Sequence, residues 1–102
     1  MTAYWIARGN VKNWDEYKKY TDQVPGIIAR FGGKVLCRGS NYKTLEGPES
    51  FDRYVILEFP SMEQAEACFR SDEYQKAAAF RRQPGVAINE LTIAAAGDTT
   101  PV

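Results

Sequence analysis

Residues 54–61, Tyr-Val-Ile-Leu-Glu-Phe-Pro-Ser, constrain the fold more than any other stretch of the chain. Six residues dense in β-branched and aromatic side chains read as a strand, and Pro60, with no N–H to donate, ends its ladder. Ser61 and Gln64 stand at capping-box spacing, so a helix opens at once and runs through Phe69 or Arg70. The reading is a strand over 52–59 that turns directly into a helix. A second cap at Ser71 starts another helical piece carrying Tyr74, Ala77, Ala78 and Phe80, which Gln83-Pro84-Gly85 breaks.

The flanking segments repeat that alternation. Residues 3–9 read as a strand, with Tyr4, Ile6 and Arg8 on one side and Trp5, Ala7 and Gly9 on the other. Asn13 and Glu16 then announce a helix. Trp14, Tyr17, Thr21, Val24, Ile28 and Phe31 follow at spacings of three and four as one apolar stripe. Pro25 removes a helical hydrogen bond, which predicts a kink or a restarted helix. Gly32-Gly33 closes the segment. Residues 34–38 read as a strand, 39–41 as a turn and 42–46 as a short extended continuation ending at Gly47-Pro48. Residues 86–94 alternate again. The C-terminal residues 97–102 read as a flexible tail behind one domain over 1–96.

Strand, helix, strand pair, helix, strand is the order of an α+β fold of ferredoxin-like βαββαβ topology, an antiparallel sheet with its helices on one face. The other face is left apolar and uncovered, and a second copy of the chain is the expected cover. At 102 residues the chain has room for one core only, which also favours burying more surface in a homodimer.

Composition removes several function classes. Thirteen basic and thirteen acidic residues cancel and are interspersed, so the basic stripe of a nucleic-acid binder is missing. No apolar run approaches the length of a membrane span. The N-terminus lacks the pattern of a secretory leader, and Cys37 and Cys68, widely spaced in apolar segments, read as buried thiols, which together predict a cytoplasmic protein. There is no histidine. That eliminates Ser-His-Asp and Cys-His nucleophile systems and every His-ligated metal or haem site, so neither a metal nor another cofactor is expected. Gly32-Gly33 and Gly39-Ser40-Asn41 lack the Lys-Ser/Thr terminus of a phosphate loop.

Ala3-Tyr4, the Tyr17/Tyr20 pair with Pro25 downstream, Phe31-Gly32-Gly33-Lys34, Arg38-Gly39, Leu45-Glu46-Gly47, Glu58-Phe59-Pro60-Ser61 and Ser71-Asp72-Glu73-Tyr74 form an ordered set. Over about residues 3–94 the chain resembles the domain-of-unknown-function family 1330. The resemblance implies a dimeric α/β barrel in which two ferredoxin-like sheets face one another and enclose a cavity. The wider set of such barrels includes cofactor-free monooxygenases, isomerases, cyclases and haem enzymes, so it implies no particular reaction. Many relatives carry a His where this sequence has Phe31.

Strict strand alternation sends Val55, Leu57 and Phe59 under the helices and Tyr54, Ile56 and Glu58 into the barrel cavity. With Val35 and Cys37 as the apolar pair of the preceding strand, Lys34, Leu36 and Arg38 join Glu58. Arg38 and Glu58 are therefore the catalytic candidates, guanidinium as oxyanion clamp and desolvated carboxylate as acid or base, against the plainer reading of a structural ion pair. Tyr4, Trp5, Tyr42 and Tyr54 are candidates to line a substrate pocket, although core packing explains each as well. Asn89 or Glu90 completes the cluster, depending on a one-residue register choice. The expected function is a cofactor-independent enzyme of isomerase, cyclase or monooxygenase type acting on a small organic molecule in the dimer barrel cavity by acid–base chemistry. The alternative is a non-catalytic binding or interaction homodimer.

Overall fold

In the computed structural model, which describes residues 2–97, the chain runs β1 (Ala3–Val11), α1 (Trp14–Thr21), α2 (Val24–Arg30), β2 (Lys34–Gly39), β3 (Arg53–Phe59), α3 (Met62–Arg70), α4 (Asp72–Arg81) and β4 (Ala87–Ala95). The four strands form one sheet in the order β2-β3-β1-β4, with every neighbouring pair antiparallel. β1 and β2 run parallel with β3 between them, and β3 and β4 run parallel with β1 between them. This is the split βαβ arrangement of the ferredoxin-like α+β fold read from the sequence.

The helix boundaries sit where the local chemistry puts them. The Asn13 side chain accepts from the Glu16 N–H (3.2 Å), and Ser61 Oγ accepts from the Gln64 N–H (3.1 Å). Pro25 falls in the first turn of a restarted helix, where its missing N–H costs nothing, so α1 and α2 are separate elements. Ser71 joins α3 to α4 by itself: its hydroxyl donates to the Cys68 carbonyl (2.7 Å) and accepts from the Tyr74 N–H (3.2 Å). The Tyr42–Glu46 extension does not join the sheet, and residues 41–45 carry no regular structure. The end of that loop is held by Asn10, whose amide donates to the Ser50 carbonyl (2.8 Å) and accepts from the Asp52 N–H (2.9 Å). Of the 97–102 tail only Gly97 lies among the described residues.

The core fills the space between the sheet and the helices. Trp5, Leu57 and Phe59 point up from β1 and β3 to meet Ala65 and Cys68 of α3, Tyr74, Ala77 and Ala78 of α4, and Val24, Ile27 and Ile28 of α2. Trp5 stacks on Phe59 (5.6 Å between centroids) and meets Tyr74 edge-on (5.2 Å), geometries that the ring quadrupoles favour. Cys68 is buried as expected, and burial pushes its thiol up to about 11. Cys37 is exposed, contrary to the expectation.

α2 ends in a Schellman motif. Gly32, at φ 79°, donates to the Ala29 carbonyl (3.0 Å) and Gly33 to the Ile28 carbonyl (2.9 Å). Gly33 is also a close approach: a Cβ there would lie 2.7 Å from both Ile28 Cγ2 and Phe59 Cε1. Gly33→Ala is expected to destabilise the protein by about 1–3 kcal/mol through overpacking, read as a lower urea midpoint with an unchanged m-value.

Candidate functional site

Between the sheet and the α1–α2 pair the packing is incomplete, leaving a half-open cleft of about 350 Å³. Trp5, Ala7, Val55, Leu57 and Leu91 form its floor, Trp14, Tyr17, Tyr20, Val24 and Ile28 its roof. It therefore lies on the helix-covered side of the sheet, and the barrel side plays no part in its floor.

Two features of the sheet decide which polar groups reach it. The first is an irregularity in β2, where Val35 pairs with Leu57 but Cys37, two residues on, pairs with Ile56, one residue back. One extra residue in β2 reverses its alternation from that point. Cys37 goes to the open face with Ile56, while Arg38, opposite Val55, goes to the helix side. The second is the row Arg53–Gly9–Asn89, fixed by the pairing of Gly9 with both neighbours. Gly9 has no side chain to separate them, and a Cβ on it would lie 2.7 Å from the Asn89 amide nitrogen.

Arg38, Arg53 and Asn89 thus border the cleft, joined by Arg81 from the inward face of α4. Among the described residues none of these three guanidiniums has a carboxylate within 4.0 Å. Arg53 lies over the Trp14 ring at 5.6 Å and the Tyr17 ring at 6.0 Å. Its Nε and the Asn89 Oδ1 are buried with no hydrogen-bond partner. Such atoms are uncommon in folded proteins, because each forfeits the desolvation cost of a polar group.

Arg81 is 8% exposed, and its Nη2 donates to the Tyr74 hydroxyl (3.2 Å), which is 2.8 Å from the Tyr20 hydroxyl. Burial works against the Arg81 charge, but the Tyr74 and Tyr20 oxygens outweigh it and raise its pKa. Burial of the hydroxyl end, with Tyr74 beside it, holds Tyr20 well above the ordinary phenol value. Both groups keep their protons at every pH of interest: Arg81 is a fixed cation and Tyr20 a donor.

Trp5, Arg38 and Asn89 are the sequence-predicted site residues that line this cleft. Glu58, Tyr4, Tyr42 and Tyr54 do not. Glu58 lies on the open face opposite Tyr4 and Lys34, and the Lys34 ammonium stands 3.2 Å from its carboxylate. The expected convergence of Arg38 with Glu58 is therefore corrected: they lie on opposite faces, because the β2 irregularity breaks the strict alternation on which that expectation rests. Tyr54 is on the open face as expected, 4.8 Å from the Tyr42 ring. The register choice in β4 is settled, with Asn89 on the helix side and Glu90 opposite Arg8, 3.0 Å from its guanidinium.

Arg53, Arg81, Trp14, Tyr17 and Tyr20 were missed as site residues. A signal existed for the two arginines. Arg53 continues the Val55–Leu57–Phe59 stripe, and Arg81 continues the Tyr74–Ala77–Ala78 stripe, so each is a charge on a core-facing position.

The sequence matches the family described as "Domain of unknown function (DUF1330)" over residues 2–95. The chain belongs to this family. No curated protein matches the chain. Among solved structures it is similar to RPA0582 from Rhodopseudomonas palustris, a protein of unknown function, at 21% identity and a TM-score of 0.71 over 90% of this chain and 79% of that one. A dimeric ferredoxin-like protein of unknown function from Jannaschia sp. CCS1 aligns at 12% identity and a TM-score of 0.66, over 90% of this chain and 98% of that one. SnoaB from Streptomyces nogalater, a cofactor-independent oxygenase, aligns at 14% identity and a TM-score of 0.62 over 99% and 98%. At these identities the likeness is one of fold. Among the described residues no helix is long and apolar enough to cross a membrane.

Removing the Tyr74 hydroxyl leaves the Arg81 guanidinium and the Tyr20 hydroxyl without their shared partner. Tyr74→Phe is expected to cost about 1–3 kcal/mol in urea unfolding while changing the packed volume very little. A cost near zero shows that water replaces the lost oxygen.

Proposed function

We propose that the chain is a homodimer in which each subunit holds a small organic molecule in the cleft between the sheet and α1–α2. It acts on that molecule by proton chemistry without a metal or organic cofactor, as an isomerase, cyclase or monooxygenase does. The observation that carries this reading is the aromatic-walled cavity itself, bordered by Arg38, Arg53, Arg81 and Asn89, with Arg53 Nε and Asn89 Oδ1 beside it left without a hydrogen-bond partner. The protein offers these two atoms no hydrogen bond, although the Arg53 guanidinium packs over Trp14 and Tyr17, and a ligand reaching them would supply one.

In this reading Arg38 and Arg53 clamp an oxyanion, while Trp5, Trp14 and Tyr17 hold a planar body. Guanidiniums beside a bound enol or phenol lower its pKa and stabilise the enolate from which isomerisation or cyclisation proceeds. For oxygenation the same carbanion would supply electrons to O₂, one oxygen atom entering the product and the other leaving as water. With no histidine to act as base, the proposed chemistry relies on guanidinium stabilisation of the anion, and the fold shared with a cofactor-independent oxygenase is compatible with it.

Glu90 is the one carboxylate among the described residues that borders the cleft, and Arg8 holds it. With no free base at hand, the alternative of a binding dimer without turnover keeps a specific observation in its favour. Deuterium exchange at the α-carbon of enolisable aryl ketones, 2-tetralone and phenylpyruvate among them, separates the two. Catalysis predicts exchange above the buffer rate that Arg53→Met abolishes. Binding with exchange at the buffer rate leaves the non-catalytic dimer.

Dimerisation rests on the other face. Ile6 and Ile88 are 41% and 49% exposed there, Ile6 stands opposite Ile56, and solved relatives of this fold are dimeric. Sedimentation at micromolar concentration is expected to give about twice the 11.5 kDa of the chain. Ile6→Asp is expected to shift it to monomer, and a wild-type monomer overturns the dimer.

A further inference from the structure

We infer that the ligand of this cleft is an organic anion, a planar carboxylate bearing an adjacent hydroxyl or enol. The inference rests on the cleft being a small-molecule site and adds the chemical class. It begins with charge. Among the described residues the guanidiniums of Arg38, Arg53 and Arg81 stand on the cleft side of the sheet with no carboxylate, and Arg8 and Glu90 touch the rim from the open face, where they pair with each other. Arg38, Arg53 and Arg81 are left without an acidic partner among the described residues, although the chain as a whole carries equal numbers of acidic and basic residues. Arg53 is half-buried without counter-charge, which is unfavourable, and an anion arriving in the cleft relieves that cost; Arg38 is exposed and adds attraction across the cleft mouth, while the Arg81 charge is already kept by the Tyr74 and Tyr20 oxygens.

The hydrogen-bond groups then specify more than charge. Arg53 Nε is an unfilled donor and Asn89 Oδ1 an unfilled acceptor, and the two side chains flank Gly9 in one row of the sheet. A carboxylate accepts from guanidinium N–H groups in fork geometry, and a hydroxyl next to it can donate to the amide oxygen. An ortho-hydroxy acid or an enol acid carries both groups at neighbouring positions. Trp14 and Tyr17, over which Arg53 already lies, offer faces for its ring.

The buried end of the cleft adds a second donor. Tyr74 is fully buried, and its oxygen accepts from Arg81 Nη2. Among the described residues its only other side-chain partner is the Tyr20 hydroxyl. Either hydroxyl can donate in that bond, and with Tyr74 as donor its buried proton is satisfied within the network. In that arrangement the Tyr20 proton is free for an acceptor entering the cleft that Tyr20 lines, polarised through the chain Arg81 to Tyr74 to Tyr20. The guanidiniums of Arg38 and Arg53, without acidic partners among the described residues, are donors only, so they ask for acceptor oxygens.

The test uses calorimetric titration of the dimer with salicylate and 1-hydroxy-2-naphthoate, each beside its neutral carboxamide. Each acid is expected to bind at least tenfold more tightly than its amide, with an affinity that falls as NaCl is raised. In Arg53→Met the ratio should collapse towards one while amide binding persists. Arg38→Met, at an exposed position, should reduce the ratio several-fold without disturbing the fold, as checked by circular dichroism and thermal melting. Equal binding of acid and amide overturns the anion class and leaves the cleft reading standing. A preference for the acid that neither variant changes also overturns it, since the anion then binds elsewhere. If neither acids nor amides bind, the cleft reading falls together with it.

Discussion

A guanidinium buried without a carboxylate is the constraint around which the helical layer is arranged. Arg81 lies on the inward face of α4, where its charge is kept by two phenol oxygens rather than by an acid. Holding it requires Tyr74 fully in the core and Tyr20 brought across from α1, and this ties α1 to α4 through a polar contact at the centre of an aromatic cluster. Trp5 packs on the same Tyr74 ring, so the polar network and the apolar core share one side chain. Replacing such a network by apolar residues is often no loss to stability, which leaves function as the reason to look for.

The two faces of the sheet carry different work because alternation separates them. Ala3, Trp5 and Ala7 look towards the helices, while Tyr4, Ile6 and Arg8 look away, and β3 and β4 follow the same rule in register. A charged side chain on the helix side is exceptional, and Arg53 and Arg38 are two of them. Arg38 gets there through a local irregularity in an edge strand, where a ladder has one partner and an extra residue is easily accommodated. The cleft is thus a product of broken regularity: a reversed alternation in β2, a glycine gap in β1, a helix interrupted at Pro25.

In the proposed reading, dimerisation and ligand binding fall on opposite sides of one sheet. A dimer built on the open face would leave the cleft of each subunit accessible, with the sheet as the common wall between the two. Residues such as Leu57 on one side and Ile56 on the other are adjacent in sequence yet serve different surfaces.

Local chemistry is what the sequence determined by itself. The Pro60-Ser61 junction, the caps at Asn13, Ser61 and Ser71, the restarted helix at Pro25 and the Gly32-Gly33 terminus involve residues within a few positions of one another. So does the apolar face of each strand, and with a single chain order these left the ferredoxin-like topology as the natural assembly. Three of the seven residues named for the barrel cavity, Trp5, Arg38 and Asn89, line the cleft instead, on the opposite side of the sheet from that cavity. What tertiary structure alone decided is which face holds the cavity and which charges meet in it. Those depend on a one-residue offset between β2 and β3 and on the contact of Tyr20 with Tyr74, 54 positions away. A register offset leaves no mark in composition or periodicity, because its energy comes from pairing with another strand. A contact between helices is likewise set by how the sheet positions both, and neither helix carries it alone.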